Sequence, residues 1–275
     1  MKKIDLYDYF KIERKEGLEG YLTVFGGEGD TAILVIAGGG YDHVSKREQD
    51  SVANAFMARG YKPFILHYTT KVKFPVAMFE ASLAMIYIRQ NAKALKICED
   101  KVVGVGFSAG GHLLGCLGII PDDNLLKNCV ESVPALKGID IDKTVRPDAM
   151  VLSYPVITSE ENKCHFGSFY QLAGDDKRLI DYLSLEKRVN KSSAPCFIWH
   201  TRNDGSVPVY GSIKLALSYE QNGLDFSLHI FEKGKHGLSV ATSEVNAEDV
   251  LKEASTGVSC WVDLSVNWLK DRGFS

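Results

Sequence analysis

Short, fully apolar runs recur along the chain, with longer stretches of mixed character between them. The run AILVI at 32–36 has no polar position, which is typical of a strand buried on both faces of a sheet. Proline, glycine or charged residues bound most of these runs, as expected for strand ends. The pattern predicts strands at residues 19–25, 32–36, 63–67, 101–106, 149–153, 196–200 and 226–231.

Helical spacing of apolar residues fills several of the intervals between these strands. Apolar residues from Ala77 to Ile88 recur at helical spacing after Pro75, a residue that is favourable in the first turn of a helix. The predicted helices cover residues 46–59, 75–92, 109–118 and 246–270. Strands that alternate with helices predict an α/β fold, with a mostly parallel central sheet and helices on both of its faces.

Two stretches, 119–148 and 158–195, show no strong period. The second contains one predicted short helix, at about 177–189. Long irregular segments in compact domains are usually functional or disordered, so we expect 158–195 to be a small cap or insertion over a site. The sequence otherwise predicts a single domain over residues 1–275, a length that α/β proteins reach as one unit.

Composition and charge exclude several classes of protein. The net charge is −3, and neither a basic patch for nucleic acid nor a block of like charges is present. The start, MKKIDLYDYF, is too charged for a secretory signal, and no apolar run reaches the length of about 18 residues that predicts a membrane span. We therefore expect a cytoplasmic protein with no membrane or nucleic-acid partner. The sequence leaves a homodimer open.

Cysteine spacing gives no sign of a metal site. The chain has six cysteines, none in a C-x-x-C pair and none in a Cys/His cluster of zinc-finger spacing. Most lie among apolar neighbours, which favours free, buried thiols. We expect neither a metal nor an organic cofactor.

The segment GFSAG at 106–110 carries the clearest chemical signal. It matches G-x-S-x-G, the nucleophile elbow, and lies between a predicted strand and a predicted helix, as that motif requires. Glycines two positions to either side leave room for a sharp turn that exposes Ser108 at the head of the helix. The alternative is a glycine-rich turn that only packs the helix on the strand. The context favours Ser108 as a nucleophile.

A serine nucleophile needs a general base, and the base needs an acid to orient it. In strand–elbow–helix hydrolases the acid and then the histidine follow the serine along the chain. His236 lies in a glycine-flanked loop after the last strand, whereas His200 and His229 lie in strands. Asp204 lies in the loop after the preceding strand, in an N-D-G sequence that is also typical of a simple turn. We predict a triad of Ser108, Asp204 and His236.

The tetrahedral intermediate of acyl transfer also needs hydrogen-bond donors. The backbone N–H of Ala109 and that of Gly39 or Gly40, in the glycine-rich turn after residues 32–36, are the predicted oxyanion-hole donors. A phosphate-binding interpretation of this turn fails, because the G-x-G-x-x-G pattern and the Walker lysine are both absent. Tyr41 and Phe107, which flank these two motifs, are predicted to line the substrate site.

Other polar and aromatic residues give weaker signals. His112 follows the elbow closely, and we expect it to pack or hydrogen-bond locally on the following helix. His165, Phe166 and Tyr170, in the predicted cap, are candidates for substrate contact, with an ordinary surface loop as the alternative.

Together these motifs resemble the esterase/lipase branch of the α/β-hydrolase family, and most closely the small bacterial acetyl esterases of the acetylxylan-esterase type. The matching segments are AGGGY at 37–41, LHYTT-KVKFP at 66–75, GFSAGGH at 106–112, RNDGSVP at 202–208 and KHG at 235–237. They span most of the chain in the family's order. Two positions depart from the family pattern. Ala37 stands where a histidine is usual, which implies a differently braced oxyanion turn, and Glu80 stands where aspartate is common.

The resemblance implies an α/β-hydrolase fold and a serine carboxylesterase that removes small acyl groups, acetyl above all, from sugars or xylo-oligosaccharides. Residue spacing alone does not indicate that substrate. Three alternatives remain open at this point. The same triad serves amidases, formamidases and small peptidases, the chain can be a catalytically silent ligand-binding relative, and a scaffold role in an oligomer is conceivable.

Overall fold

The predicted strands and one further strand at Lys2–Asp5 form one eight-stranded sheet in the computed structural model, which describes residues 2–275. Along the sheet the strands follow the order β1-β2-β4-β3-β5-β6-β7-β8. The strands are β1 (Lys2–Asp5), β2 (Tyr21–Val24), β3 (Ala32–Ile36), β4 (Lys62–His67), β5 (Val102–Phe107), β6 (Ala149–Ser153), β7 (Cys196–Thr201) and β8 (Phe226–Phe231). Strands β3 to β8 pair in parallel, whereas β2 pairs antiparallel with both β1 and β4. All seven predicted strands are present.

Helices fill the connections between the strands. They are α1 (Leu6–Phe10), α2 (Asp50–Met57), α3 (Val76–Gln90), α4 (Ala92–Leu95), α5 (Ala109–Ile119), α6 (Asn124–Glu131), α7 (Ile141–Val145), α8 (Phe166–Ala173), α9 (Lys177–Tyr182), α10 (Tyr210–Asn222), α11 (Glu248–Lys252) and α12 (Trp261–Lys270). Within residues 2–275, none combines the length and the apolar composition that a membrane crossing requires.

The central strand β3 shows why the sheet is covered on both faces. Its residues are all buried, and they alternate between two separate apolar clusters. Leu34 and Ile36 pack with α3 and α5, while Ile33 and Val35 pack with α2 and α12. Successive side chains of a strand point to opposite faces, so a fully apolar strand needs cover on both. The prediction of a central sheet with helices on both of its faces is therefore confirmed.

Two predicted helices have different boundaries in the structure. The predicted helix at 46–59 begins with a short 3₁₀ turn, Lys46–Glu48, and becomes α-helical only at Asp50. The predicted helix at 246–270 is divided into α11, which ends at Lys252, and α12, which begins at Trp261, and Gly257 between them is left-handed with φ 78°. A left-handed residue cannot continue an α-helix.

The predicted cap segment 158–195 contains α8, α9 and a 3₁₀ turn at Leu185–Lys187. Phe169 and Leu172 of α8 are buried in the same apolar cluster as α3 and α5. The segment therefore packs on the helices of one face of the sheet. Its helix α8 extends to the carboxyl ends of the strands, near Ser108.

Candidate active site

The predicted nucleophile lies where β5 meets α5, at the carboxyl edge of the sheet. Ser108 adopts φ 51° and ψ −119°, a conformation that costs free energy for any residue with a β-carbon. The turn is possible only because its neighbours are glycines. A β-carbon at Gly106 would lie 2.6 Å from the Gly110 carbonyl oxygen, and one at Gly110 would lie 2.2 Å from the Ile36 carbonyl oxygen. The sequence-predicted elbow is thus present as a strained turn, with Ser108 nearly buried.

A chain of hydrogen bonds joins the three predicted triad residues. The hydroxyl of Ser108 donates to Nε2 of His236 over 2.9 Å, and Nδ1 of His236 donates to Oδ2 of Asp204 over 2.7 Å. The residues come from the loops after β5, β7 and β8, whose carboxyl ends share one edge of the sheet. In this arrangement His236 can accept the serine proton while Asp204 holds the imidazole tautomer.

The Asp204 carboxylate is buried but well supplied with donors. Its Oδ1 accepts the backbone N–H groups of Ser206 and Val207 at 2.8 and 2.9 Å. Nε2 of His200 lies 3.4 Å from Oδ2, a neighbour that the strand position of His200 did not reveal. Burial favours the neutral acid, but hydrogen bonds from His200, His236 and the backbone hold the pKa of Asp204 well below its usual range. Asp204 is therefore an anion beside His236.

The glycine-rich turn brings unpaired backbone donors beside Ser108. Gly39 and Gly40 have φ values of 126° and 66°, which residues with a β-carbon rarely adopt. Within residues 2–275, no protein group accepts a hydrogen bond from the N–H of Gly39, Gly40 or Ala109. Ala109 opens α5, so its N–H is one of the unpaired donors of a helix N-terminus. These unpaired N–H groups include the donors that the sequence predicted for an oxyanion hole, Ala109 with Gly39 or Gly40.

Gly38 has a different role, because its N–H is already used. It donates to Oε2 of Glu48 over 2.7 Å. Ala37, the position where the resembled family has a histidine, is buried, and its carbonyl oxygen accepts a hydrogen bond from the Tyr68 hydroxyl. The turn is thus braced by Glu48 and Tyr68. Neither contact has a signature in local sequence spacing.

Ser108 and His236 open onto a cavity of about 340 Å³. Every residue that lines it is a glycine or has a polar side chain. The cap segment supplies one wall, through His165, Gly167 and Gln171 of the α8 region. Nδ1 of His165 is hydrogen-bonded to the Ser168 hydroxyl, and burial and the nearby His236 lower its pKa. The volume of the cavity lies at the lower end of the range usual for ligand cavities, which favours a short acyl group over a long one.

The prediction that Tyr41 and Phe107 line the substrate site is wrong. Both side chains are fully buried, and neither reaches the cavity among the residues described. Phe107 ends a strand and points into the core against Tyr154 and Trp261. The Tyr41 hydroxyl bonds instead to Nδ1 of His112 at 2.7 Å. Sequence proximity to a motif did not determine which way these side chains point.

Of the remaining residues that the sequence singled out, one lines the cavity and three do not. His112 is buried on α5 and bonds locally, as expected, with Nε2 2.9 Å from the Leu183 carbonyl oxygen. His165 lines the cavity, whereas Phe166 and Tyr170 are about half exposed on the outer surface of α8. Among residues 2–275, no group of three or more His, Cys, Asp or Glu side chains is arranged to hold a metal ion.

Comparison with known proteins identifies the family of this chain. Residues 21–218 match the model of the BD-FAE family, and since this is more than half of the chain, the protein belongs to that family. The solved structure of the acetyl ester-xyloside bifunctional hydrolase from Caldicellulosiruptor lactoaceticus is 30% identical in sequence and superposes on this chain with a TM-score of 0.83. The match covers 99% of this chain and 97% of that chain. The α/β-hydrolase fold and the resemblance to acetyl esterases are confirmed, and both place the chain among the hydrolases.

Two relatives of known name also match most of this chain. The chain is 37% identical over 220 residues to endo-1,4-beta-xylanase B of Butyrivibrio fibrisolvens. The aligned region is 77% of this chain and 33% of that protein. It is 26% identical over 249 residues to an acetylxylan esterase of Xylanibacter ruminicola. The aligned region is 87% of this chain and 45% of that protein. The chain therefore spans between a third and a half of the length of these two relatives.

Proposed function

We propose that this protein is a serine carboxylesterase that hydrolyses small acyl esters, with acetyl as the acyl group and a sugar or xylo-oligosaccharide as the alcohol. The observation that carries the proposal is the hydrogen-bonded chain of Ser108, His236 and Asp204 beside three unpaired backbone donors. The polar side chains that line the cavity can hydrogen-bond the hydroxyl groups of such an alcohol. The names of the acetylxylan esterase and of the acetyl ester-xyloside hydrolase support acetyl and xylose units.

In the proposed mechanism the Ser108 oxygen attacks the ester carbonyl carbon while its proton passes to Nε2 of His236. Asp204, as an anion, stabilises the resulting imidazolium. The carbonyl oxygen becomes an oxyanion that accepts hydrogen bonds from Ala109 and from Gly39 or Gly40. When the intermediate collapses, the bond to the alcohol oxygen breaks and His236 gives its proton to that oxygen. Water then attacks the acyl-enzyme by the same route and releases the acid.

The test combines covalent labelling with turnover. Intact mass after treatment with a fluorophosphonate should show one label per wild-type chain and none on Ser108→Ala. Hydrolysis of p-nitrophenyl acetate should fall on the order of 10⁴-fold or more in this variant, because a triad without its nucleophile retains little activity. Ser51→Ala, a serine of α2 outside the cavity, should behave as wild type.

Substrate choice is tested with matched pairs. We expect acetate esters to be hydrolysed faster than octanoate esters, p-nitrophenyl acetate faster than 4-nitroacetanilide, and acetylated xylo-oligosaccharides to be deacetylated. A preference for the anilide would replace the esterase with an amidase. Absence of both labelling and turnover would contradict the proposal and favour a silent ligand-binding relative.

A further inference from the structure

One buried carboxylate contacts the turn that carries the oxyanion donors. Glu48 follows that turn in the chain, and its side chain is only 2% exposed. Its Oε2 accepts the N–H of Gly38 over 2.7 Å, and its Oε1 accepts the hydroxyl of Tyr154 over 2.8 Å. Within residues 2–275, Glu48 makes no salt bridge, so these two hydrogen bonds are its principal contacts.

Tyr154 continues the same network to the loop of the general base. It lies just past the carboxyl end of β6, between the strands that precede Ser108 and Asp204. Its hydroxyl oxygen accepts the N–H of Ser239 over 2.9 Å. Its ring packs edge-to-face with the imidazole of His236, with the ring centroids 4.9 Å apart. One tyrosine therefore contacts both the base and the loop that carries it.

From this geometry we propose that Glu48 and Tyr154 are positioning residues, which hold the oxyanion turn and the His236 loop in fixed relation to Ser108. We call the pair the Glu48–Tyr154 brace. The proposal rests on the esterase function proposed above. It adds two residues whose hydrogen bonds do not involve Ser108, although Glu48 is also one of the residues that line the cavity.

The brace acts where small displacements matter. Gly38 packs tightly under the elbow, since a β-carbon there would lie 2.7 Å from the Phe107 carbonyl oxygen and 2.7 Å from Cβ of Ser108. The bond from its N–H to Glu48 fixes the peptide units that follow, and these carry the donors of Gly39 and Gly40. Donors stabilise a transition state best when they are already oriented, and a displacement of 1 Å costs a rate factor of about 100.

Two conservative variants test the brace. Glu48→Gln keeps the shape but can no longer accept at both ends, and Tyr154→Phe keeps the ring against His236 but removes the hydroxyl. With active sites counted by fluorophosphonate labelling, we expect kcat for p-nitrophenyl acetate to fall about 10- to 100-fold in each, with KM changed less than about twofold. The double variant should be about as slow as the slower single variant, because both changes break one network.

Binding of a transition-state analogue separates positioning from general loosening of the fold. Phenylboronic acid forms a tetrahedral adduct with a serine nucleophile and so needs the oriented donors. Its affinity should fall in proportion to kcat/KM in Glu48→Gln and Tyr154→Phe, while inhibition by the product acetate stays unchanged.

The chain contains a matched control pair. Glu80 is also buried and accepts the Tyr7 hydroxyl over 2.8 Å and the N–H of Thr69 over 2.6 Å, but it lies outside the cavity. Glu80 also accepts the hydroxyl of Thr69 over 2.6 Å. Glu80→Gln and Tyr7→Phe therefore break a comparable buried Glu–Tyr hydrogen bond and should also destabilise the fold. Their kcat per labelled site should equal that of wild type.

The outcomes are distinct from those of the esterase test. If Glu48→Gln and Tyr154→Phe keep the wild-type kcat per labelled site, or lose no more than the Glu80 and Tyr7 variants, the brace has no positioning role and the proposal is overturned. If instead the wild-type protein neither labels nor turns over ester, the proposed function itself has failed.

Discussion

At the scale of single residues, Asp204 shows how the two oxygens of one carboxylate can have separate tasks. Oδ1 accepts two backbone N–H groups and so shapes its own loop, whereas Oδ2 faces Nδ1 of His236 at 2.7 Å. An amide at this position would satisfy the loop through its oxygen but would turn an N–H₂ donor toward His236. The loop and the tautomer of the base are therefore separable by substitution.

Asp204→Asn should accordingly keep the fold and lose the chemistry. With a donor opposite Nδ1, the imidazole carries its proton on Nε2 and cannot accept the proton of Ser108, so we expect kcat for p-nitrophenyl acetate to fall about 10⁴-fold. Far-ultraviolet circular dichroism and urea unfolding of the variant check that it folds. A folded Asp204→Asn protein with a kcat within tenfold of wild type would contradict the proposed role of Asp204.

The sequence predicted the triad residues because each has a signature that can be read locally. The elbow of Ser108 needs glycines at fixed offsets, and Asp204 and His236 follow the last strands in the order that the fold requires. Glu48 and Tyr154 have no such signature, since they are 106 residues apart and meet only when β6 comes to lie beside β5. The directions in which the side chains of Tyr41 and Phe107 point also have no signature in the local sequence, so they could not be predicted.

At the scale of elements, apolar runs made seven of the strands predictable, whereas β1, α6 and α10, which lack a clear apolar pattern in the sequence, were not predicted. β1 (KKID) is a short edge strand with two exposed lysines, so it has no apolar run to detect. α10 was missed because Ile213 and Leu217 are exposed and blur its apolar face. α6 lies in a stretch that showed no strong period, although its first turn carries a clear start signal.

That signal is Asp123, the N-cap of α6. Its carboxylate accepts the backbone N–H groups of Leu125 and Leu126 at 2.9 and 3.0 Å, which would otherwise be unpaired at the start of the helix. We expect Asp123→Ala to lower the free energy of unfolding by about 1 kcal/mol, measured by urea denaturation.

The adjacent Asp122 provides the control for the cap. It is exposed, and among the residues described it accepts no hydrogen bond from the first turn of α6. Asp122→Ala removes the same charge and should change the free energy of unfolding by less than about 0.5 kcal/mol. Equal effects of the two substitutions would show that charge near the helix start, and not the cap geometry, is what stabilises α6.

At the scale of the whole molecule, His112 connects three parts of the fold. It lies on α5 behind the elbow, and Nε2 donates to the carbonyl oxygen of Leu183 in the cap segment. Nδ1 accepts the hydroxyl of Tyr41, beside the oxyanion turn. Burial lowers the pKa of His112 to about 4, so the imidazole is neutral and both bonds are made over the physiological range. Protonation would place a second N–H against Tyr41 and a charge in the core.

The lowered pKa of His112 fixes the sign of a pH effect on stability. Between pH 6.5, the ordinary value for unfolded histidine, and pH 4, the unfolded chain binds a proton at His112 and the native chain does not. The free energy of unfolding therefore falls as the pH is lowered through this window, and the loss is complete below the native pKa. From pH 7 to pH 5 the contribution of His112 to this loss is about 2 kcal/mol.

His112→Gln isolates this contribution, because glutamine can donate to Leu183 and accept from Tyr41 but does not titrate. Urea unfolding at pH 7 and pH 5 should show a loss of stability in wild type that exceeds the loss in the variant by about 2 kcal/mol. His67, His165 and His229 also have lowered pKa values and destabilise the fold in the same direction, but they are present in both proteins and cancel in the difference. Equal pH dependence in the two proteins would mean that His112 can be protonated without disturbing the junction of α5, the oxyanion turn and the cap segment.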